Sequence, residues 1–133
     1  MNHDIQAQFP TTIDQPLDGL NIGLSTGRFS SEDLVRTHLR RIHQVNHRMR
    51  CVAQLDPTVL GWTRQKLPIH GVTMLIKNQI AISNMNCTSG TTAFLGAQTG
   101  RDASIVSRLR ERGVIVLGTS NLTRKEGPGT EEG

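Results

Sequence analysis

Apolar and polar positions alternate along this chain with periods that change several times, and each change marks an element. From Thr12 to Ser25, Ile13, Leu17, Leu20 and Leu24 recur at helical spacing, which predicts a short helix with Thr12 or Asp14 as cap and Pro16 in its first turn. Gly27 ends it. Ser30-Ser31-Glu32-Asp33 then opens the clearest helix, running to about Arg48, with a hydroxyl cap and acidic residues at the positive end of the dipole. Its apolar stripe is Leu34, Val35, Leu39, Ile42, Val45 and Met49, and its opposite face carries Arg36, Arg40, Arg41, Arg48 and Arg50 with His38, His43 and His47 interspersed.

Cys51 to Leu55 reads as a strand stopped by Asp56-Pro57, followed by a connector from Thr58 to Lys66 that holds Trp62. Val72 to Ile76 is an uninterrupted, mostly apolar run bounded by Gly71, the mark of a buried strand. Asn84 to Gly100 is rich in Thr, Ser, Asn and Gly, which predicts a loop presenting hydroxyls and backbone groups. Asp102 stands where it could cap a helix from Ala103 to Arg112, with Ile105, Val106 and Leu109 inward and Arg108, Arg110, Glu111 and Arg112 in water. Gly113 is a left-handed stop, and Val114 to Leu117 is a second buried strand. Strand, long connection, helix and strand in that order predict parallel pairing. The fold class is therefore α/β.

Composition changes this picture little. The 133 residues are 35% hydrophobic but only 3% aromatic, thin for a well-filled core, and the net charge is +4 with a pI near 9.8. A basic balance permits attraction to nucleic acid, but the scarcity of aromatics for base stacking argues against that partner. No run approaches the roughly 18 apolar residues of a membrane span, and the start lacks a signal-peptide pattern, so a cytoplasmic chain is expected. Cys51 and Cys87 have no ligand-like spacing and are expected as small buried hydrophobes rather than a disulfide. His43 and His47 lie four apart, yet no third ligand accompanies them, so no metal or other cofactor is expected. Residues 1–11 and 124–133 are expected to be disordered, the latter for their glycine and proline breakers and mixed charge.

Lys77 is the residue that suggests chemistry. A lysine closing a buried strand either snorkels, its stem packed and its head in water, or sits desolvated, which lowers its pKa and makes it usable as a base. Around it the chain reads Pro68-Ile69-His70-Gly71, Lys77-Asn78, Cys87-Thr88-Ser89-Gly90-Thr91, Arg101-Asp102-Ala103 and Gly118-Thr119-Ser120-Asn121-Leu122. In this order and spacing the segments resemble the amidase signature family. Its members read Pro-Leu-His-Gly-Ile-Pro-Ile-x-Val-Lys-Asp at the lysine, then a Thr-x-Gly-Ser loop, then Arg-Asp-Ala before a helix and Gly-Lys-Thr-Asn-Leu after a strand.

The resemblance implies hydrolysis of a carbon-nitrogen amide bond by a Ser-Ser-Lys triad in which the lysine acts through a bridging serine on a nucleophilic serine. Lys77 matches the triad lysine. Thr88, Ser89, Gly90 and Thr91 match a loop that walls the substrate site, with Thr91 where the family has serine. The two triad serines belong to a later Gly-Ser-Ser-Gly-Gly type segment, and no serine here has that setting, so the chain alone is expected to be inactive. The similarity spans about residues 12–123. It implies the incomplete N-terminal part of the amidase-signature mixed-sheet fold, helices plus about three strands, cut before the attacking hydroxyl. The expected partner of the completed centre is a small-molecule amide. An alternative is a noncatalytic fragment that pairs with another protein through the exposed edges of its strands at Val72 to Ile76 and Val114 to Leu117.

Four departures stand out. Asn78 replaces the family aspartate, Thr73 a proline, Thr119 a lysine and Arg124 a glutamate. The connector before the lysine strand is also short, and Trp62 is expected to fill part of the place of a longer helix.

Overall fold

A computed structural model describes residues 15–64 and 71–122. The expectations for residues 1–11 and 124–133, for a cap at Thr12 or Asp14 and for Pro68 to His70 lie outside those residues.

Helix α1 spans Leu17–Ser25, with Pro16 at the N-cap position and no side-chain cap. Its start is later than the periodicity predicts, because the chain at Gln15 and Pro16 is not helical. Helix α2, Ser31–Met49, begins on a complete capping box: Ser30 Oγ accepts from the Asp33 amide at 3.1 Å while Asp33 Oδ2 accepts from the Ser30 amide at 2.9 Å. Leu34 and Val35 are buried as the stripe requires, but Met49 is 67% exposed because the helix outruns the sheet it packs on. Arg50 ends it in the left-handed region.

Strand β1 covers Val52–Leu55, β2 Thr73–Lys77 and β3 Ile115–Ser120, in the order β1-β3-β2. β3 runs parallel to β2 and antiparallel to β1, so the sheet is mixed. The parallel pairing agrees with the expected connection. The expectation of an open edge at Val114 to Leu117 does not hold, since β3 is flanked on both sides. Asp56 closes β1: its amide donates to the Leu117 carbonyl at 2.8 Å and its buried carboxylate accepts from the Thr58 amide and hydroxyl.

Each face of the sheet is covered by one helix. On the α2 face, Val35, Val59, Ile115 and Leu117 form a cluster joined by Leu39, Ile42 and Leu75. On the other, Ile76, Ile82, Met85, Val106 and Val116 pack with Ile80, Ala103 and Leu109, the last on helix α3, Ser104–Glu111. Complete burial of side chains of this size is worth roughly 1.5–3 kcal/mol each, so the two clusters hold the sheet between the helices.

Three expectations about α3 are corrected. Asp102 does not cap it; its Oδ1 accepts from the Ser83 amide at 2.8 Å and its Oδ2 lies 3.4 Å from Arg110 Nε. Ile105 is 58% exposed, on a flank the sheet does not reach. Arg110 is mostly buried rather than in water, with its guanidinium 5.0 Å from the centre of the Trp62 ring. Trp62, in the 3-10 helix Val59–Arg64, thus packs under α3's arginine.

Candidate active site

β2 and β3 end side by side, and the candidate residues Lys77 and Thr88 to Thr91 are read from their ends. Lys77 is the last residue of β2 and the register partner of Ser120, the last of β3. Alternation along the strand buries Ile76 and, just past its end, Asn78, and turns Lys77 the other way. Lys77 is exposed. The desolvated alternative is therefore not realised among the described residues. No other described element covers it, because α2 passes the sheet further back, where His38 meets Thr73.

Asn78 is the hub between the strand ends and the loop. Its amide donates to the Ser120 carbonyl at 3.0 Å, and its own carbonyl accepts from the Ser89 amide at 3.3 Å and from Cys87 Sγ at 3.6 Å. Its side-chain Nδ2 donates to Thr88 Oγ1 at 2.7 Å. The Thr88 to Thr91 segment expected near Lys77 is thus fastened to the residue that follows Lys77. Ser89 and Gly90 both have positive φ, +49° and +73°, and Gly90 packs so closely on Leu122 that a Cβ would lie 3.0 Å from its Cδ1. Thr91 Oγ1 accepts from the Ala93 amide at 3.2 Å, a local turn bond that starts the short helix Thr92–Phe94. Of the four loop residues, Thr88 through its hydroxyl and Ser89 through its amide contact Asn78, whereas the Thr91 hydroxyl is used in the local turn.

The rest of the loop is more ordered than its composition suggests. Met85 is fully buried in the α3-side cluster, Asn86 bridges Gln98, and the Cys87 amide donates to the Ala97 carbonyl at 3.0 Å. Cys87 is half-buried, but Cys51 is exposed, which corrects its assignment as a buried hydrophobe; both thiols are free.

A cleft of about 500 Å³ is lined by Asn46 of α2, Val52 and Gln54 of β1, and Asn78, Thr88 and Leu95 among others. Lys77 does not line it. Two contacts here escape sequence reasoning. The Asn46 side chain pairs with both backbone groups of Val52, its Oδ1 accepting at 2.9 Å and its Nδ2 donating at 3.0 Å, and the Asn121 side chain donates to the Arg50 carbonyl. Only the asparagine after Gly118-Thr119-Ser120 had any sequence signal, through the motif that contains it. Among the described residues, no group of three or more His, Cys, Asp or Glu is placed to hold a metal, and no helix is long and apolar enough to cross a membrane.

Comparison with known proteins bears on the family and the fold. The family profile described as Amidase matches residues 33–125. A putative amidase of Arthroderma benhamiae is 31% identical over 147 residues, covering 86% of this chain and 25% of that protein. A probable amidase of Arabidopsis thaliana is 32% identical over 120 residues, covering 80% of this chain and 23% of its own length. Among solved structures, native peptide amidase from Stenotrophomonas maltophilia superposes with a TM-score of 0.79 at 30% identity, over 86% of this chain and 26% of that one. An amidase family protein from Bacillus anthracis, at 22% identity, shares the fold with a TM-score of 0.81 over 89% and 26%. The chain spans about a quarter of the length of these relatives. With the lysine strand, the clamped loop and the Gly118 to Leu122 strand end all inside the matched region, this chain belongs to the amidase family.

Proposed function

We propose that Lys77 is the proton-handling amine of an amide-hydrolysing centre whose two serines lie in the part of an amidase domain that these 133 residues do not span. In such a centre the neutral amine takes a proton from a bridging serine as that serine takes one from the attacking hydroxyl. The observation that supports this reading is the position of Lys77, at the end of β2, beside Ser120 and next to the residue that clamps the Thr88 loop. Its exposure is consistent with a side chain that meets its covering partners only in a complete domain. The substrate class is a small-molecule amide, and the expected location is cytoplasmic, in keeping with two free thiols.

The 133-residue chain is expected to turn over neither aryl nor alkyl amides. Turnover that disappears in Lys77→Ala would overturn that expectation. The role of Lys77 itself is tested by grafting residues 15–122 in place of the matching quarter of a homologous amidase: amide hydrolysis by the graft should vanish in Lys77→Ala, and an active graft indifferent to that change would refute the assignment.

A further inference from the structure

Two buried oxygens near the strand ends have no hydrogen-bond partner, and they belong to two of the positions where this chain departs from the family pattern. Asn78 is 7% exposed and its Oδ1 is unpartnered; Thr119 is 1% exposed and its Oγ1 is unpartnered. An orphaned buried polar group costs roughly 1–3 kcal/mol. Thr37 Oγ1, Asp56 Oδ2 and two Arg110 nitrogens also lack a hydrogen-bond partner among the described residues, but Asn78 and Thr119 are the pair that sits at the adjoining ends of β2 and β3. Register explains why they do not satisfy each other. Thr119 pairs with Ile76 on β2 and Gln54 on β1, and Asn78 lies two residues beyond Ile76. Two residues along a strand and one strand across places the two Cα atoms about 8 Å apart. A threonine and an asparagine are too short for that diagonal, whereas a lysine and an aspartate, the residues of the family pattern, span it.

We infer that positions 78 and 119 are one electrostatic unit, a buried slot built for a pair of opposite charges, which this chain fills with two neutral side chains. Either charge alone would be buried without its counter-ion, which is strongly unfavourable, so the slot holds both charges or neither. The neutral filling also removes the carboxylate that the family pattern places directly after the lysine. Asn78 keeps the loop clamp through Nδ2 to Thr88, so the change is in charge and not in the position of the loop. The unit acts on Lys77 only through position, as the neighbour in sequence.

A double-mutant cycle on the 133-residue chain tests this, with denaturant midpoints as the readout. Asn78→Asp and Thr119→Lys should each lower the midpoint at pH 7, and the double variant should recover most of the loss. That recovery should shrink as pH falls below about 4, where the carboxyl of the unfolded chain protonates, and be lost only once the lysine-paired carboxyl of the folded state protonates as well. If neither single variant folds, a folded double variant still supports the unit and an unfolded one overturns it. Thr119→Met combined with Asn78→Asp separates charge from size: equal rescue by methionine, or additive single effects, would overturn the inference. Because nothing in the cycle depends on turnover, its failure and the failure of the Lys77 assignment are distinguishable.

Discussion

The side-chain amide of Asn78 donates to Thr88 Oγ1 at 2.7 Å, joining the end of the lysine strand to a loop ten residues further along the chain. The bond is part-buried, and Thr88 Oγ1 also accepts from the Gly90 amide at 3.4 Å, so one hydroxyl holds both the strand end and the left-handed turn at Ser89 and Gly90. Replacing it by an isosteric methyl strands the Asn78 donor in the interior. Thr88→Val is therefore expected to cost about 1–3 kcal/mol, whereas an exposed hydroxyl would cost a few tenths. The same variant should speed hydrogen exchange at the Ser89 amide, which donates to the Asn78 carbonyl. Unchanged exchange there would mean that the loop is held by something other than this clamp.

Gly118 shows why one motif residue has to be glycine. A Cβ at this position would collide with the backbone carbonyl of Gln54 on β1, where the antiparallel register slips by one residue between Val52 and Gln54. Backbone cannot step aside as a flexible side chain can. Gly118→Ala should cost about 3 kcal/mol or more and release β1 selectively, which would appear as loss of amide protection at Asp56, whose N–H bonds the Leu117 carbonyl. Stability close to that of the parent would show that β1 lies further from β3 than described.

Local patterns reveal most of this fold, and tertiary competition accounts for what they miss. The capping box at Ser30 and Asp33 is a contact within four residues, and the apolar runs of β2 and β3 need only flanking breakers to be read. Asp102 has the same local credentials as Ser30, yet the Ser83 amide, nineteen residues away, takes its carboxylate. Ile105 and Met49 satisfy helical spacing but lie where no second layer reaches them. In the candidate site, the strand that ends at Lys77 and the Thr88 loop can be placed from the motif order, whereas the exposure of Lys77 cannot, because it depends on which elements pack over the end of β2. Asn46 carries no signal at all, because its partner is created only by the path of β1.

His38 on α2 and Thr73 on β2 share a hydrogen bond of 2.8 Å between Nδ1 and Oγ1, and burial lowers the histidine's pKa below its ordinary value near 6.5. The folded state thus favours neutral imidazole, while the unfolded chain protonates at the ordinary value. The stability this provides is fully present above about pH 6.5 and is lost as pH falls below it, levelling off once the folded histidine also protonates. His38→Phe should flatten that segment of the stability profile, and Thr73→Val should lower stability by about 1 kcal/mol at pH 8, where the ring is neutral in both states. A parent profile that is flat from pH 7 to 5 would rule out His38 as the source.

β1 is an edge strand of the sheet, where unpaired backbone groups make a chain adhesive, and Asn46 occupies part of that edge. Its carboxamide presents an acceptor to the Val52 N–H and a donor to the Val52 C=O, the two contacts a neighbouring strand would make. Removing both, as in Asn46→Ala, should cost about 1–3 kcal/mol and let β1 recruit an edge from another copy, seen as concentration-dependent growth in light scattering. Asn46→Asp separates the two contacts: a carboxylate can still accept from the Val52 amide but repels its carbonyl, so this variant should lose stability while its added charge opposes association. If Asn46→Ala loses stability without associating at any concentration, the carboxamide is a fastener for the α2–β1 corner alone, and self-association, if any, would have to use the open edge of β2.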